Sequence, residues 1–252
     1  MRAGDHDVCP LLGEELSTHR AAGPNGACLR MRNLKSSAPR SEHIPAAAVR
    51  RLSLYLRQLE AFHRDEQSTV SSRNLGKALG LSDAQVRKDL AHFGQFGHPG
   101  IGYSVPELIQ RVRRILGTDR RTSVLLVGYG NLGRALISYR GFASRGFDVV
   151  AIFDSDPNKV GATTPGPQPL VVQPIEEIAG TVRSKQARIG VLAVPAGNAQ
   201  TVADELVKAG IRGILNFAPV ALRLPHGVAV ASVDLAVHLE QLAFELTGVA
   251  AS

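Results

Sequence analysis

Cysteine is nearly missing from this chain of 252 residues: only Cys9 and Cys28 occur, both close to the N-terminus. Two thiols in a stretch of mixed Gly, Pro, Ser and charge give neither a disulfide framework nor a thiolate metal site. Long hydrophobic runs are missing as well. No apolar stretch reaches about 18 residues, which excludes a membrane-crossing helix. No apolar segment follows Met1–Arg2, so secretion is not expected and a reducing, cytoplasmic setting is. Histidine is scarce where enzyme chemistry would need it: beyond residue 120 only His226 and His238 occur. The first falls in a turn after Pro225 and the second on the polar side of a helix, so neither is placed as a general acid or base.

What is present is positive charge, unevenly spread. The net charge is +7. Residues 1–120 carry 18 Lys/Arg against 12 Asp/Glu, and residues 121–252 carry 11 against 10. An excess confined to one half fits a polyanion, because clustered cations displace the counterions condensed on nucleic acid.

Residues 1–43 lack lasting periodicity and read as a flexible extension. Pro45 opens a helix whose stripe is Val49, Leu52, Leu56, Leu59 and Phe62. A short helix follows Ser71–Ser72, Gly80 stops it, and Ser82 with Gln85 predicts a capping box for a third helix from Asp83 to about Phe93. Helix, glycine turn, helix is the layout of a helix-turn-helix unit. Residues 93–103 hold four glycines among aromatic and β-branched residues, which predicts a β-hairpin. Ser104 and Glu107 predict a second capping box. On the third helix Gln85, Arg87 and Lys88 are long enough to reach base edges and phosphates.

Past a linker at 117–120 the period changes. Buried strands are predicted at 123–127, 148–153, 189–194 and 213–215, with helices at 132–142 and 198–209: a doubly wound parallel sheet of the Rossmann type. Gly128-Tyr129-Gly130-Asn131-Leu132-Gly133 ends the first strand and opens a helix, the context a dinucleotide fingerprint requires. Gly128 allows the turn, Gly130 lets a pyrophosphate approach, and Gly133 lets helix and strand close up. Asp154, at the end of the second strand, is the expected ribose ligand, with Asp156 as an alternative. An acid there favours NAD(H) over its 2′-phosphorylated form. An amphipathic helix carrying Leu235, Leu239, Leu242 and Leu246 ends the chain.

Val86-Arg87-Lys88-Asp89-Leu90-Ala91-His92-Phe93-Gly94 and Gly100-Ile101-Gly102-Tyr103 resemble the Rex redox-sensing repressors. So do Gly128–Gly133, Tyr139-Arg140-Gly141-Phe142, Asp154-Ser155-Asp156-Pro157, Val194-Pro195-Ala196 and Ile214-Leu215-Asn216-Phe217-Ala218-Pro219, over about residues 44–247 in order. The resemblance implies a winged-helix domain at 44–120, a Rossmann domain at 121–231, and a C-terminal helix at 232–252 swapped between the subunits of a homodimer. It implies a repressor, not an enzyme, that binds operator DNA and leaves it when NADH rises. Arg87 and Lys88 would read DNA, with Gln85 and His92 on the same helix and His98 in the wing, where Pro99 stands in place of the family's frequent basic residue. Arg57 would pair with Asp234 of the other subunit, Tyr139 would report the redox state of the nicotinamide, and Val194, Pro195, Asn216, Phe217, Ala218 and Pro219 would line the site. The alternative is an NAD-dependent oxidoreductase with a helical accessory domain, which steady NADH turnover would reveal.

Overall fold

The computed structural model describes residues 45–97, 101–166 and 168–247. The expected extension at 1–43, and His98 and Pro99 of the expected wing, lie outside them. The described residues belong to one compact unit with a helical lobe and an α/β lobe, each built on its own core.

In the helical lobe, α1 (Ala46–Arg64) buries Leu52, Tyr55, Leu56 and Leu59, while Val49 stays exposed. Against it pack α2 (Ser72–Leu79), α3 (Asp83–Ala91) and α4 (Val105–Ile115). Ser71 and Ser82 cap α2 and α3 through their hydroxyls, accepting from the N–H of Asn74 and Gln85. Each such cap contributes about 1 kcal/mol. Gly80 turns the chain between them in the left-handed region, at φ 67°. At Gly76 a Cβ would press on the Leu81 carbonyl, so the α2–α3 turn closes tightly only with glycine there.

The hairpin expected over 93–103 includes residues 98–100, which lie outside the described residues. Among the described residues β1 (Thr69–Val70), just before α2, pairs antiparallel with β2 (Tyr103–Ser104). The second capping box does not form: Ser104 precedes α4 without a side-chain cap bond. In the first, Gln85 turns its amide to Asp89 instead of back to the cap.

The α/β lobe is a six-stranded parallel sheet in the order β5-β4-β3-β6-β7-β8. Its strands are β3 (Thr122–Val127), β4 (Phe147–Asp154), β5 (Val172–Pro174), β6 (Ile189–Leu192), β7 (Gly213–Asn216) and β8 (Ala229–Ser232). Helices α5 (Asn131–Ser138), α6 (Ile178–Lys185) and α7 (Ala196–Ala209) connect them. The strand order reverses between β3 and β6, and such a switch point opens a crevice at the carboxyl ends of the strands. Strands β5 and β8 and helix α6 were not expected. The helix expected to reach Phe142 stops at Ser138, because Tyr139 turns extended. Last comes α8 (Leu235–Leu246), capped by the Asp234 carboxylate through the N–H of Ala236 and Val237.

Candidate functional site

The loop from β3 to α5 is shaped by three glycines in different ways. Gly128 takes φ 100°, and a Cβ there would strike the Ala193 carbonyl. A Cβ on Gly133 would drive into the Gly128 carbonyl, so helix and loop meet only without one. Gly130 has open space where its Cβ would stand. It precedes α5 with no side-chain cap, leaving the first N–H groups of the helix toward that space. Such a terminus attracts an anion through its unpaired donors and its dipole.

The space is a crevice of about 630 Å³. Gly128, Gly130, Asn131 and Leu132 line it from the loop, Asp154, Asp156 and Lys159 from the end of β4, and Val194 and Pro195 from the end of β6. One stripe of α7, Asn198, Thr201, Val202 and Glu205, forms the opposite wall. Those α7 residues and Lys159 were not singled out from the sequence. The i, i+3, i+7 spacing of Asn198, Thr201 and Glu205 on a helix next to the fingerprint was the signal available.

Asp154 is only 6% exposed. Its Oδ2 accepts from the Tyr129 backbone N–H at 2.7 Å and its Oδ1 from the Asp156 N–H at 2.9 Å. The Lys159 ammonium donates to both oxygens, at 3.2 and 3.4 Å. Burial pushes this carboxyl up, but the two N–H donors and Lys159 outweigh it and hold the pKa below its ordinary value. The carboxylate thus clamps the glycine loop to the end of β4.

Other residues expected in the crevice lie elsewhere. The Tyr129 ring is buried beneath Arg134, whose guanidinium sits 5.1 Å from the ring centroid. Tyr139 is 58% exposed beyond the end of α5, edge-on to Phe142, and lines a separate depression with Phe147 and Leu170. Asn216 is fully buried and spends its side chain on its own turn: it donates to the carbonyls of Ala218 and Val220 and accepts from the Ala218 N–H. Ala218 is buried, Phe217 half-buried and Pro219 exposed, and none of the four lines the crevice. A full set of internal hydrogen bonds is the physical reason Asn216 serves the turn instead.

On the helical lobe α3 has two faces. Val86 and Leu90 enter the core together with Asp89, whose carboxylate is 2% exposed. It accepts from Arg51 Nε at 2.5 Å and Nη2 at 2.8 Å, from the Tyr55 hydroxyl at 2.6 Å and from the Gln85 amide at 2.7 Å. Gln85 is therefore occupied, and this buried knot was not foreseen. The opposite face exposes Ala84, Arg87, Lys88, Ala91 and His92, a single helical stripe. Its two alanines leave the cationic side chains standing proud. Arg87 reaches Asp83 at 2.7 Å and the Ser72 hydroxyl at 3.2 Å. Such a face can enter a groove and neutralise phosphates.

Arg57 is exposed on α1, in a cleft between the lobes that also holds Arg113, Arg121 and Arg145. Arg113 is paired with Glu60 and Arg121 with Asp148. Within one chain Arg57 has no ion pair among the described residues, and Asp234 serves as the α8 cap. No residue of α8 is buried: Leu235, Leu239, Leu242, Phe244 and Leu246 are 55 to 88% exposed. Among the described residues no helix is long and apolar enough to cross a membrane.

A family model described as "Putative DNA-binding protein N-terminus" matches residues 43–91. One described as "CoA binding domain" matches residues 119–220. The chain is 48% identical to the redox-sensing transcriptional repressor Rex of Carboxydothermus hydrogenoformans, over 81% of this chain and 96% of that protein. To the Rex of Streptomyces coelicolor it is 46% identical, over 82% of this chain and 79% of that one. The crystal structure of RSP, a Rex-family repressor, superimposes with a TM-score of 0.73 at 34% identity, covering 81% of this chain and 94% of RSP. RSP in complex with NAD⁺ and operator DNA gives 0.73 at 35% identity, over 82% and 99%.

Proposed function

The chain belongs to the Rex family of redox-sensing transcriptional repressors, and we propose that it binds operator DNA through α3 as a homodimer and gives the DNA up when NADH replaces NAD⁺ in the crevice under Gly128–Gly133. The observation that carries this reading is that one chain holds both an anion-ready crevice at the switch point and a cationic groove-entering stripe. RSP has been seen with NADH and with NAD⁺ and operator DNA. The residues here fit the same dinucleotide: the open space over Gly130, the uncapped start of α5, and the acidic end of β4. Bound there, the cofactor supplies a ring that is cationic when oxidised and neutral when reduced. Residues 44–120 would act as the winged-helix domain, 121–231 as the Rossmann domain and 232–252 as the exchanged helix.

Arg87, Lys88 and His92 carry the DNA contact, with His98 in the wing. Gln85 supports α3 from behind. The second subunit follows from α8, twelve residues with six large apolar side chains and no cover of their own. It also carries acid: Asp234, Glu240 and Glu245 against His238 alone. The arginine-rich cleft around Arg57 offers the opposite charge, so the partner's α8 seats there and its cap aspartate meets Arg57. Tyr139 and the turn at Asn216–Pro219 stand outside the single-chain crevice, so reporting on the nicotinamide is a property of the dimer.

A pocket that excludes water favours the neutral ring, because burying an unpaired cation is costly. Tighter NADH binding in a closed dimer then moves the two α3 helices off the separation of about 34–36 Å that successive major grooves demand. The test is a gel shift on a duplex selected from random DNA, titrated across NADH/NAD⁺ ratios. Release by NADH at concentrations where NAD⁺ leaves the complex intact is expected, and equal release by both refutes redox sensing.

A further inference from the structure

We propose that Asp156 and Lys159, not the strand-end Asp154, read the adenosine ribose and set the preference for NAD(H) over its 2′-phosphorylated counterpart. This rests on the reading of the crevice as a dinucleotide site.

A carboxylate presents about four acceptor directions. At Asp154 they are taken by the N–H of Tyr129, the N–H of Asp156, and two contacts from Lys159. A ribose diol has no lone pair left to bond there without expelling the lysine. Asp156 is arranged differently. Its Oδ1 accepts from the backbone N–H and side-chain amide of Asn158, at 3.0 and 3.1 Å. Among the described residues its Oδ2 has only Lys159, at 3.6 Å. The Asp156 side chain is 39% exposed and that of Lys159 31%, against 8% for Asp154, and all three line the crevice. Asp156 Oδ2 is thus the acceptor open to a sugar hydroxyl, and Lys159 the adjacent donor.

The charge balance gives the specificity. Two carboxylates face one ammonium, so this corner is net negative and Lys159 has no charge to spare for a phosphate. A 2′-phosphate would meet Asp156 directly. Removing that single charge leaves Lys159 balanced by Asp154 alone and removes the repulsion.

The experiment measures the affinity of the full chain for NADH and NADPH by nicotinamide fluorescence, in wild type, Asp156→Asn, Asp154→Asn, and Asp156→Asn combined with Lys159→Gln. The wild type is expected to prefer NADH. Asp156→Asn should narrow the NADH/NADPH ratio by roughly ten- to a hundred-fold, the range for one unit charge near a protein surface, mainly by tighter NADPH binding. Adding Lys159→Gln should reverse that gain. Asp154→Asn should weaken both dinucleotides alike, since it loosens the loop and not the reading; if it fails to fold, the Asp156→Asn ratio decides alone. An unchanged ratio in Asp156→Asn, with the wild type preferring NADH, overturns this assignment and leaves the function intact. A wild type that binds neither dinucleotide overturns both.

Discussion

Replacing Asp89 by Asn keeps the shape of the α3 knot and removes its charge. The structure sets the magnitude. The carboxylate accepts four hydrogen bonds, two of them from Arg51, and is 2% exposed, while the Arg51 side chain is 25% exposed. Breaking a buried pair by removing one partner costs about 3–5 kcal/mol. Arg51 can recover some hydration, so about 2–4 kcal/mol is expected here. Burial pushes the Asp89 carboxyl up, but the bonds from Arg51, Tyr55 and Gln85 prevail and hold its pKa below the ordinary 3.8. A carboxyl depressed in the folded state stabilises fully above its unfolded value and ceases to as the pH falls through the folded one. Wild type should therefore lose stability through that acid window, and the Asn variant should lose less. Urea denaturation of wild type, Asp89→Asn, Arg51→Met and the double variant, repeated from neutral to acid pH, measures both the coupling and its titration. Operator affinity should fall while NADH affinity holds, because the crevice stands on a separate core. A loss below about 0.5 kcal/mol, the level of a neutral surface change, or an equal loss of NADH binding, would refute the reasoning.

Other outcomes follow from the same geometry. Arg87→Ala and Lys88→Ala should each weaken operator binding and lower the slope of log affinity against log salt by about one, with NADH binding untouched; anisotropy at several salt concentrations checks this. Gly130→Val should abolish NADH binding without lowering the melting temperature, because the new side chain enters open crevice; calorimetry reads both. Leu239→Asp with Leu242→Asp should convert a dimer to monomer on light scattering and eliminate operator binding, since α8 buries nothing within its own chain.

How much was legible from the residues depended on how local the physics was. The roles of Gly128, Gly130 and Gly133 are steric and confined to six residues, and strand, loop and helix appear where the fingerprint put them. The Ser71 and Ser82 caps are local for the same reason. Asp154 was found, but its occupation was not, because that depends on Lys159 folding back across a turn and on the Tyr129 backbone 25 positions upstream. Periodicity carried α5, the first helix of the Rossmann lobe, past Ser138, yet Tyr139 turns extended and lays its ring where a Cβ on Gly141 would stand. Ser104 and Glu107 had the spacing of a capping box, but Ser104 also pairs with Thr69 in a strand contact no local pattern encodes. Strand β8 has four exposed residues and therefore no burial signal to read.

The two functional surfaces share a chain but no core. The cluster holding Val86 and Leu90 behind α3 has no member in common with the clusters under the sheet. A ligand in the crevice can shift α3 only through a contact whose free energy differs between the two states, and among the described residues the buried clusters of the two lobes stay separate. The lobes face each other across a cleft lined by Arg57, Arg113, Arg121 and Arg145, and α8 carries the exposed apolar surface and acid that would complement it. A helix unburied in its own chain, following an exposed edge strand, is poorly stabilised alone. It gains its stability from whichever molecule accepts it. Under the exchange proposed above, α8 would be both the dimer contact and the lever between dinucleotide and DNA. On that reading Arg57 would be its pivot: as an exposed pair with the partner's Asp234 it would contribute little in a static dimer, and it would matter to the extent that the pair exists in one lobe arrangement and not in the other.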